Sequence, residues 1–265
     1  MDYKPDINLK TTFDGVAKKY EEARLGYPDE LFEKLIEVTE IDTEKSNLLE
    51  IGCGTGKGTV SLAKKGFKIL GVEPGEQLAE LARNILAPYP DVTIQTKTFE
   101  QVSQPPNAID LIFSANAFHW VDPTVKFKKT HDLLKPHGYL AIISHERVAD
   151  EKNDEYNRLS QVIFEKYIPG ADFLYKHVKK ISEMTPSDEY DHDLFELAYF
   201  GCFPVSLKGT TDQAIKLLET ISHTIALDEE TRNKFFGEMR ELIDGKFGGI
   251  FEGINGSILT VLRAK

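Results

Sequence analysis

The segment at residues 48–59, LLEIGCGTGKGT, constrains the fold of this chain more than any other. It places four glycines behind a short apolar run, a pattern typical of a buried strand that ends in a tight turn. Glycine permits left-handed backbone conformations and lets a ligand approach the main chain closely. The segment therefore predicts a strand-to-helix turn that faces a ligand.

The glycine spacing does not fit either of two phosphate-binding motifs. A P-loop requires G-x-x-x-x-G-K-[ST], but here its first position falls on Ile51 and its last on Gly58. A dinucleotide fingerprint requires G-x-G-x-x-G, and its last position falls on Lys57 or Thr59, depending on which glycine is counted first. Of the two phosphate-binding motifs, only an irregular variant of the dinucleotide fingerprint remains as an alternative interpretation of this segment.

What remains is a tighter G-x-G-x-G turn followed by an acidic residue at a suitable distance for a ribose. The turn contains Gly52, Gly54 and Gly56, and Glu73 follows 21 residues after Gly52 at the end of a second apolar strand. A carboxylate there can accept hydrogen bonds from both ribose hydroxyls. The two features together predict an adenosine-bearing ligand; the alternative is a glycine turn that only packs a helix on a strand.

Strand-like and helix-like segments alternate through residue 150, which predicts right-handed crossovers and a mostly parallel sheet. The strand-like segments are NLLEIGCG, FKILGVEP, VTIQTKTFE, AIDLIFSANAF and YLAIISH. The helix before the fifth strand is expected to close at Pro136 and Gly138. After residue 150 the alternation lapses, and SILTVLRAK at the end of the chain is again strand-like.

The same pattern predicts two regions. A core with N-terminal lid helices covers residues 1–150, about 200–210 and 250–265, and a helical lobe covers about 151–199 and 211–249. Residues 188–193, DEYDHD, are predicted to form a solvated loop.

Composition excludes several classes of partner. The 265 residues carry 43 acidic and 32 basic side chains, a net charge of −11, and neither half of the chain is basic. Phosphate binding needs clustered Lys and Arg, so nucleic acid and anionic membranes are not expected as partners. Two cysteines cannot form a disulfide framework, and no apolar stretch reaches a membrane-spanning length. We expect a cytoplasmic protein whose partner is a small molecule; the sequence does not indicate an oligomeric state.

Four segments in order, LLEIGCGTG, GVEP, AIDLIFSANAFHWVD and LLKPHGYLAI, resemble the motifs of class I S-adenosylmethionine-dependent methyltransferases over about residues 10–150. FDGVAKKYEEARLGYP with AFHW resembles, more narrowly, the trans-aconitate methyltransferase-like small-molecule subgroup. The resemblance implies an α/β fold: a Rossmann-like, mostly parallel seven-stranded sheet with helices on both faces and an inserted helical lobe. It also implies S-adenosylmethionine as the cofactor.

By that resemblance, Glu50 would reach the methionine amino end of the cofactor and Glu73 would hold its ribose. The sequence departs from the family at Thr98, where an acidic residue usually pairs with adenine, and at Pro74, where a short polar residue is common. The implied cofactor-binding residues are Glu50, Gly52, Gly54, Gly56, Glu73, Pro74, Gln77, Thr98, Phe99, Ala115 and Asn116.

Methyl transfer is an in-line displacement, which requires an aligned acceptor rather than a covalent enzyme intermediate. SANAFHW, after the fourth strand, supplies Ser114, Asn116, His119 and Trp120 where an acceptor would approach. His119 is predicted to act as general base or hydrogen-bond donor, with a capping or packing role as the alternative. Trp120 is predicted to stack on substrate or cofactor, with a core position as the alternative.

Tyr20, Arg24 and Tyr27 precede the first strand and are predicted to fold over the cofactor as a lid, with a surface ion pair as the alternative for Arg24. Arg147, after the fifth strand, could anchor a substrate carboxylate. The histidines lack metal-ligand spacing, so no metal site is expected.

The predicted function is methyl transfer to a small molecule, with a carboxylic acid as one candidate. The alternatives are a protein or RNA methyltransferase, a non-catalytic adenosine-binding module and an NAD-dependent oxidoreductase.

Overall fold

A computed structural model describes residues 21–23, 26–149, 154–169 and 179–265. Its residues group into two compact units. We call residues 26–145, 185–203 and 257–265 the sheet unit, and the described parts of residues 146–184 and 204–256 the lobe unit. The candidate site lies in the sheet unit.

Helices and strands alternate from residue 29 to residue 147, as the sequence predicts, except that a 3₁₀ turn stands in place of a helix between β3 and β4. The elements are α1 (Asp29–Thr39), β1 (Asn47–Ile51), α2 (Lys57–Ala63), β2 (Lys68–Glu73), α3 (Glu76–Leu86), β3 (Val92–Thr96), β4 (Ile109–Ala115), α4 (Lys126–Leu133) and β5 (Leu134–Arg147). The later elements are α5 (Asp154–Tyr167), β6 (Phe195–Thr210), α6 (Thr211–Leu218), α7 (Ser222–Ile225), α8 (Glu229–Phe247) and β7 (Ile250–Ala264). Short 3₁₀ turns lie at Phe99–Gln101, Phe118–Trp120 and Ile181–Glu183.

The seven strands form one sheet in the order β3-β2-β1-β4-β5-β7-β6. Strand β1 pairs in parallel with β2 on one side and with β4 on the other. Strands β2 and β3, and β4 and β5, also pair in parallel. The strand order reverses at β1, and ligands of open α/β sheets bind beyond the carboxyl ends of the strands at such a point. The predicted fold class, a Rossmann-like, mostly parallel seven-stranded sheet, is confirmed.

The two faces of the sheet carry separate hydrophobic clusters because successive strand residues point to opposite sides. Leu48 of β1 packs in a cluster with Leu35 of α1 and Leu62 of α2. Leu49, the next residue of β1, packs in the other cluster with Phe118. These side chains are almost completely buried, and burying each contributes about 1.5–3 kcal/mol. Such two-sided burial holds β1, and the glycine turn that follows it, in a fixed position.

One helix boundary differs from the sequence expectation. The helix before β5 ends at Leu133, and Pro136 and Gly138 lie inside β5 rather than closing the helix. Leu134 already pairs with Ile109 of β4, so the chain leaves the helix to join the sheet. Lys135 reinforces the change with an ion pair to Asp110 at 2.8 Å.

The lobe unit has its own hydrophobic cluster, in which Phe164 of α5 packs against Phe235 and Met239 of α8. Residues 185–203, mostly assigned to the lobe by the sequence pattern, group with the sheet unit, whereas 204–210 and 250–256 group with the lobe unit. Residues 188–193 form neither helix nor strand, as predicted. Within the described ranges, every helix is too short or too polar to cross a bilayer.

Candidate active site

The glycine turn after β1 leaves one position open to solvent. Gly52, Gly54 and Gly56 have φ angles of 66°, 55° and 93°, in the left-handed region that favours glycine. A Cβ atom on Gly52 would lie 2.4 Å from the Cβ of Ala117, and one on Gly56 would lie 2.8 Å from Cδ1 of Leu86. A Cβ on Gly54 would meet nothing within 4 Å. The outer glycines thus allow close packing, and Gly54 faces open space.

Glu73 connects the end of β2 to this turn. Its Oε2 accepts a hydrogen bond from the backbone N–H of Gly54, and its Oε1 accepts one from the N–H of Gly75, both at 2.9 Å. The side chain is only 6% exposed. A carboxylate offers about four lone-pair positions. Two backbone hydrogen bonds are therefore compatible with additional bonds from the hydroxyls of a ribose.

Glu50 lies inside β1 as a buried carboxyl group. It is 1% exposed, and its Oε2 accepts a hydrogen bond from the Thr59 hydroxyl at 2.5 Å. Burial raises the pKa of Glu50 from 4.5 to about 8; the nearby Glu73 charge also raises it, and the Thr59 hydrogen bond lowers it. A Cβ on Gly58 would lie 2.7 Å from Oε1 of Glu50, so glycine there makes room for the carboxyl group. Burial therefore favours the protonated form of Glu50 in the folded protein.

The raised pKa of Glu50 predicts a specific pH dependence of stability. Between pH 4.5 and about 8 the unfolded chain ionises Glu50 while the folded protein keeps it protonated. The free energy of unfolding contributed by Glu50 therefore falls as pH rises through that window. We expect Glu50→Gln, whose amide does not titrate, to become progressively more stable relative to the wild type from pH 5 to pH 8. Chemical denaturation at several pH values measures the difference.

The exposed Glu44, substituted as Glu44→Gln, is the matched control for this measurement. It makes the same carboxyl-to-amide change in the same unit at an exposed position, and the difference from the wild type should change less with pH than that of Glu50→Gln. A Glu50→Gln difference that is equally flat would contradict the raised pKa.

The carboxyl end of β4 carries a hydrogen-bonded cluster. Asn116 has φ = 57°, a conformation that asparagine tolerates better than most residues. Its Nδ2 donates to the hydroxyl of Tyr27 at 2.8 Å, and its Oδ1 accepts from the backbone N–H of His145 at 2.8 Å. The rings of Tyr27 and His145 are stacked with centroids 4.7 Å apart. Ser114 is fully buried and donates to the carbonyl of Ile51 at 2.9 Å, so it joins β4 to β1.

Sequence reasoning missed His145, because it stands in a strand that was interpreted as purely structural. The sequence does contain an indication of it. His145 is a polar residue near the carboxyl end of the apolar strand β5, which pairs with β4 and therefore lies beside the polar residues that follow β4. His145 Nδ1 lies 3.2 Å from the hydroxyl of Ser257. Tyr27, predicted as part of a lid, contacts Asn116 at the end of β4, and its role as a lid stays a prediction.

His119 and Trp120 lie together in the short turn at Phe118–Trp120. Their rings are 4.9 Å apart, Trp120 is half-buried, and His119 keeps an exposed surface. Partial desolvation and, secondarily, the charge of Lys126 lower the pKa of His119 to about 4. A neutral ring at pH 7 is suited to accept a hydrogen bond, but it is a weak base.

The other predicted cofactor residues occupy varied environments. Phe99 packs its side chain into the core, so only its backbone could face a ligand. Thr98 is half-buried, and its backbone N–H donates to Gln101 Oε1 at 3.0 Å. Pro74 and Ala115 are half-buried, and Gln77 is exposed at the start of α3.

Tyr20 and Arg24 lie outside the described residues. Arg147 belongs to the lobe unit, where its Nη1 donates to Asn157 Oδ1 at 3.1 Å. Cys53 is buried, and burial raises the pKa of its thiol well above the usual value. Across the ranges described above, no group of three or more His, Cys, Asp or Glu side chains is placed to hold a metal ion.

Comparison with known proteins agrees with this geometry. Residues 49–142 match the model of the methyltransferase domain family. An uncharacterized methyltransferase of Mycobacterium tuberculosis is 27% identical over 156 residues, which are 59% of this chain and 60% of that protein. An uncharacterized methyltransferase-like protein of Schizosaccharomyces pombe is 27% identical over 237 residues, covering 89% of this chain and 87% of that one.

Solved structures share the fold at low sequence identity. A structure from Anaeromyxobacter dehalogenans superposes with a TM-score of 0.64 at 20% identity, covering 91% of this chain and 97% of that one. The [4+2]-cyclase SpnF superposes with a TM-score of 0.53 at 15% identity, covering 91% and 84%. These likenesses concern the fold alone. The chain has a Rossmann-like class I methyltransferase fold, and its residues 49–142 match the methyltransferase domain family.

Proposed function

We propose that this protein is an S-adenosylmethionine-dependent methyltransferase that acts on a small molecule. One observation carries the proposal: Gly54 faces open space while its N–H is bound by the buried Glu73 carboxylate. This arrangement lies at the carboxyl ends of β1 and β2, inside the region that matches the methyltransferase domain family. A flat backbone next to an acidic residue fits an adenosine moiety, as the sequence spacing predicts.

Each residue at the turn has a defined task under this proposal. Glu73 accepts hydrogen bonds from the ribose, and Gly54 lets the ligand lie against the backbone. Glu50 and Thr59 face the methionine amino end, where a positive charge would favour the ionised form of Glu50. The bound cofactor supplies a methyl group on a positively charged sulfur. His119 and Trp120 orient the acceptor for in-line displacement.

The acceptor class follows from charge and from the surroundings of His119. The net charge of −11 and the absence of a basic half disfavour nucleic acid as the acceptor. The lowered pKa keeps the His119 ring neutral, which is compatible with an acceptor that needs little deprotonation. A carboxylic acid is already ionised at pH 7 and meets this requirement. We therefore propose that the protein acts on a carboxylic acid, as its resemblance to the trans-aconitate methyltransferase-like small-molecule subgroup implies, and that it does so in the cytoplasm.

Ligand choice is the direct test of the cofactor proposal. We expect isothermal titration calorimetry to detect binding of S-adenosylmethionine and S-adenosylhomocysteine, because both carry the adenosine that the turn fits. NAD and ATP should give no measurable binding, since both phosphate motifs are incomplete. Tighter binding of NAD than of S-adenosylmethionine would overturn the proposal in favour of an oxidoreductase.

The acceptor is identified by incubating the protein with a metabolite extract and a methyl-labelled cofactor. We expect the label in a small carboxylic ester. Label transferred only to protein or RNA would replace the small-molecule proposal with a macromolecular acceptor. Cofactor binding without any transfer to the extract or to macromolecules would favour a non-catalytic adenosine-binding module.

A further inference from the structure

One lysine close to the turn at Phe118–Trp120 carries a charge to which the proposed methyl transfer assigns no role. Lys126 is the first residue of α4, belongs to the sheet unit like that turn, and is half-buried. Its Nζ lies 5.4 Å from the ring centroid of Phe118 and 5.0 Å from that of Phe127. Both distances are within the range of cation–π contacts. The ammonium group is therefore held against an aromatic surface next to His119 in the chain.

The neighbouring lysines of α4 have oxygen partners, whereas Lys126 contacts aromatic rings. Lys128 forms an ion pair with Asp132, and the Nζ of Lys129 donates to two backbone carbonyls. Within the part of the chain that the structure describes, the Lys126 ammonium group has neither an ion pair nor a hydrogen bond. An ammonium group has three N–H donors, and a cation–π contact does not supply them with an oxygen acceptor.

Two charge effects show that Lys126 is within electrostatic reach of His119 and of Glu189. Its positive charge contributes to the lowered pKa of His119, after the larger effect of desolvation. Burial lowers the pKa of Lys126 itself, and the charge of Glu189 raises it. Glu189 lies in the exposed segment 188–193 and does not come close enough to form an ion pair with Lys126. The protein therefore balances the lysine charge only in part.

A half-buried ammonium group without an oxygen partner favours an anionic ligand. Water and salt screen a partly desolvated charge less than an exposed one, so an opposite charge placed beside it gains more free energy. A carboxylate would supply the N–H donors with acceptors in charge-assisted hydrogen bonds, and the contacts with the rings would be kept. A neutral ligand would gain less, and a cationic ligand would be repelled.

We infer that Lys126 selects an anionic acceptor by binding its carboxylate beside His119 and Trp120. The role toward the acceptor rests on the proposed function, whereas the anion site itself consists of residues of the sheet unit and is tested without the cofactor. Lys126 determines which acceptors bind, and His119 aligns them. Glu189 competes with the ligand for the same ammonium group and limits the affinity for the anion.

The fluorescence of Trp120 provides the test, because Trp120 is the only tryptophan in the chain and reports on this site alone. The whole protein is titrated at constant ionic strength with butyrate, butanol and butylammonium, each with and without S-adenosylhomocysteine. Butyrate should change the emission with a half-saturation roughly tenfold or more below that of butanol, and butylammonium should give no saturable change. Butanol saturating at the same concentration as butyrate would overturn the inference, and so would the absence of a butyrate response at tens of millimolar.

Variants locate the anion. Lys126→Gln should raise the half-saturation for butyrate by about three- to tenfold, between the effects of losing an exposed ion pair and a buried charged hydrogen bond. Lys126→Arg keeps the charge and should stay closer to the wild type than to Lys126→Gln. Lys128→Gln makes the same charge change two residues further along α4 and is the matched control, which should bind butyrate like the wild type. Glu189→Gln should lower the half-saturation, because it removes the competing carboxylate. Equal half-saturation in folded Lys126→Gln and Lys128→Gln would overturn the inference.

The titrations with and without the cofactor product separate this inference from the proposed function. Butyrate binding that depends on Lys126, in a protein that does not bind S-adenosylhomocysteine, would support the anion site and overturn the proposed methyl transfer. Binding of S-adenosylhomocysteine in a protein whose response to butyrate does not depend on Lys126 would support the proposed function and overturn the anion site.

Discussion

Gly54→Val is expected to abolish binding of S-adenosylmethionine while leaving a folded protein. A Cβ on residue 54 would meet no protein atom within 4 Å, so the new side chain would extend into the space that we assign to the ligand. The substitution also places a β-branched residue at φ = 55°, which costs about 1–2 kcal/mol of folding free energy. Titration of the variant with S-adenosylhomocysteine should show at least a hundredfold loss of affinity.

Gly248→Val is the matched control for the backbone strain. Gly248 ends α8 in the lobe unit with φ = 62°, and a Cβ there would also meet nothing within 4 Å. The two variants should therefore lose similar thermal stability, and only Gly54→Val should lose the cofactor. Retained cofactor affinity in folded Gly54→Val, or an equal loss in Gly248→Val, would show that the turn is merely structural.

Much of this turn could be predicted from the sequence, because closely spaced glycines after an apolar run indicate a tight turn at the end of a strand. Strand β1 could be placed from its apolar run, and Glu73 from its distance along the chain. The sequence could not show which glycine faces the ligand. Gly52 and Gly56 are required by contacts with Ala117 and Leu86, which are distant in sequence. Only the folded structure distinguishes these packing positions from Gly54.

Other features depended on contacts that no local pattern reports. The end of α4 was misplaced because Pro136 and Gly138 are local stop signals, whereas the pairing of Leu134 with Ile109 is a tertiary contact. The cluster of Tyr27, Asn116 and His145 joins segments far apart in the chain. Its assembly follows from the sheet order, and single-residue propensities carry no information about it.

The pKa shifts of Glu50 and His119 could not be predicted from the sequence either. Glu50 was predicted from the resemblance to be a cofactor ligand, but its pKa of about 8 depends on complete burial and on the nearby Glu73. His119 was proposed as a base, yet its lowered pKa favours a neutral, positioning role. Both results arise from desolvation, which depends on the whole fold rather than on spacing.

Glu73→Ala is expected to weaken S-adenosylmethionine binding by roughly ten- to a hundredfold or more. Hydrogen bonds to a charged group contribute about 1.5–3 kcal/mol each, and the variant loses those to the ribose. It also leaves the backbone N–H groups of Gly54 and Gly75 without their carboxylate acceptor, which loosens the turn itself. Glu73→Gln keeps one acceptor oxygen and should fall between alanine and the wild type. Calorimetry gives the affinities, and thermal unfolding confirms that each variant is folded.

His119→Ala is the comparison that separates binding from turnover. His119 lies after β4, which β1 separates from β2 and Glu73, and we propose that it faces the acceptor rather than the ribose. Cofactor affinity should change less than about threefold, while the rate of methyl transfer to the acceptor found in the extract should fall because alignment is lost. That fall should be smaller than the ~10²–10⁴-fold typical of a lost general base, since a ring with a pKa of about 4 is poorly matched to neutral pH. If His119→Ala instead weakens the cofactor as much as Glu73→Ala and leaves saturated turnover intact, His119 belongs to the cofactor side of the site, and the acceptor must approach from elsewhere.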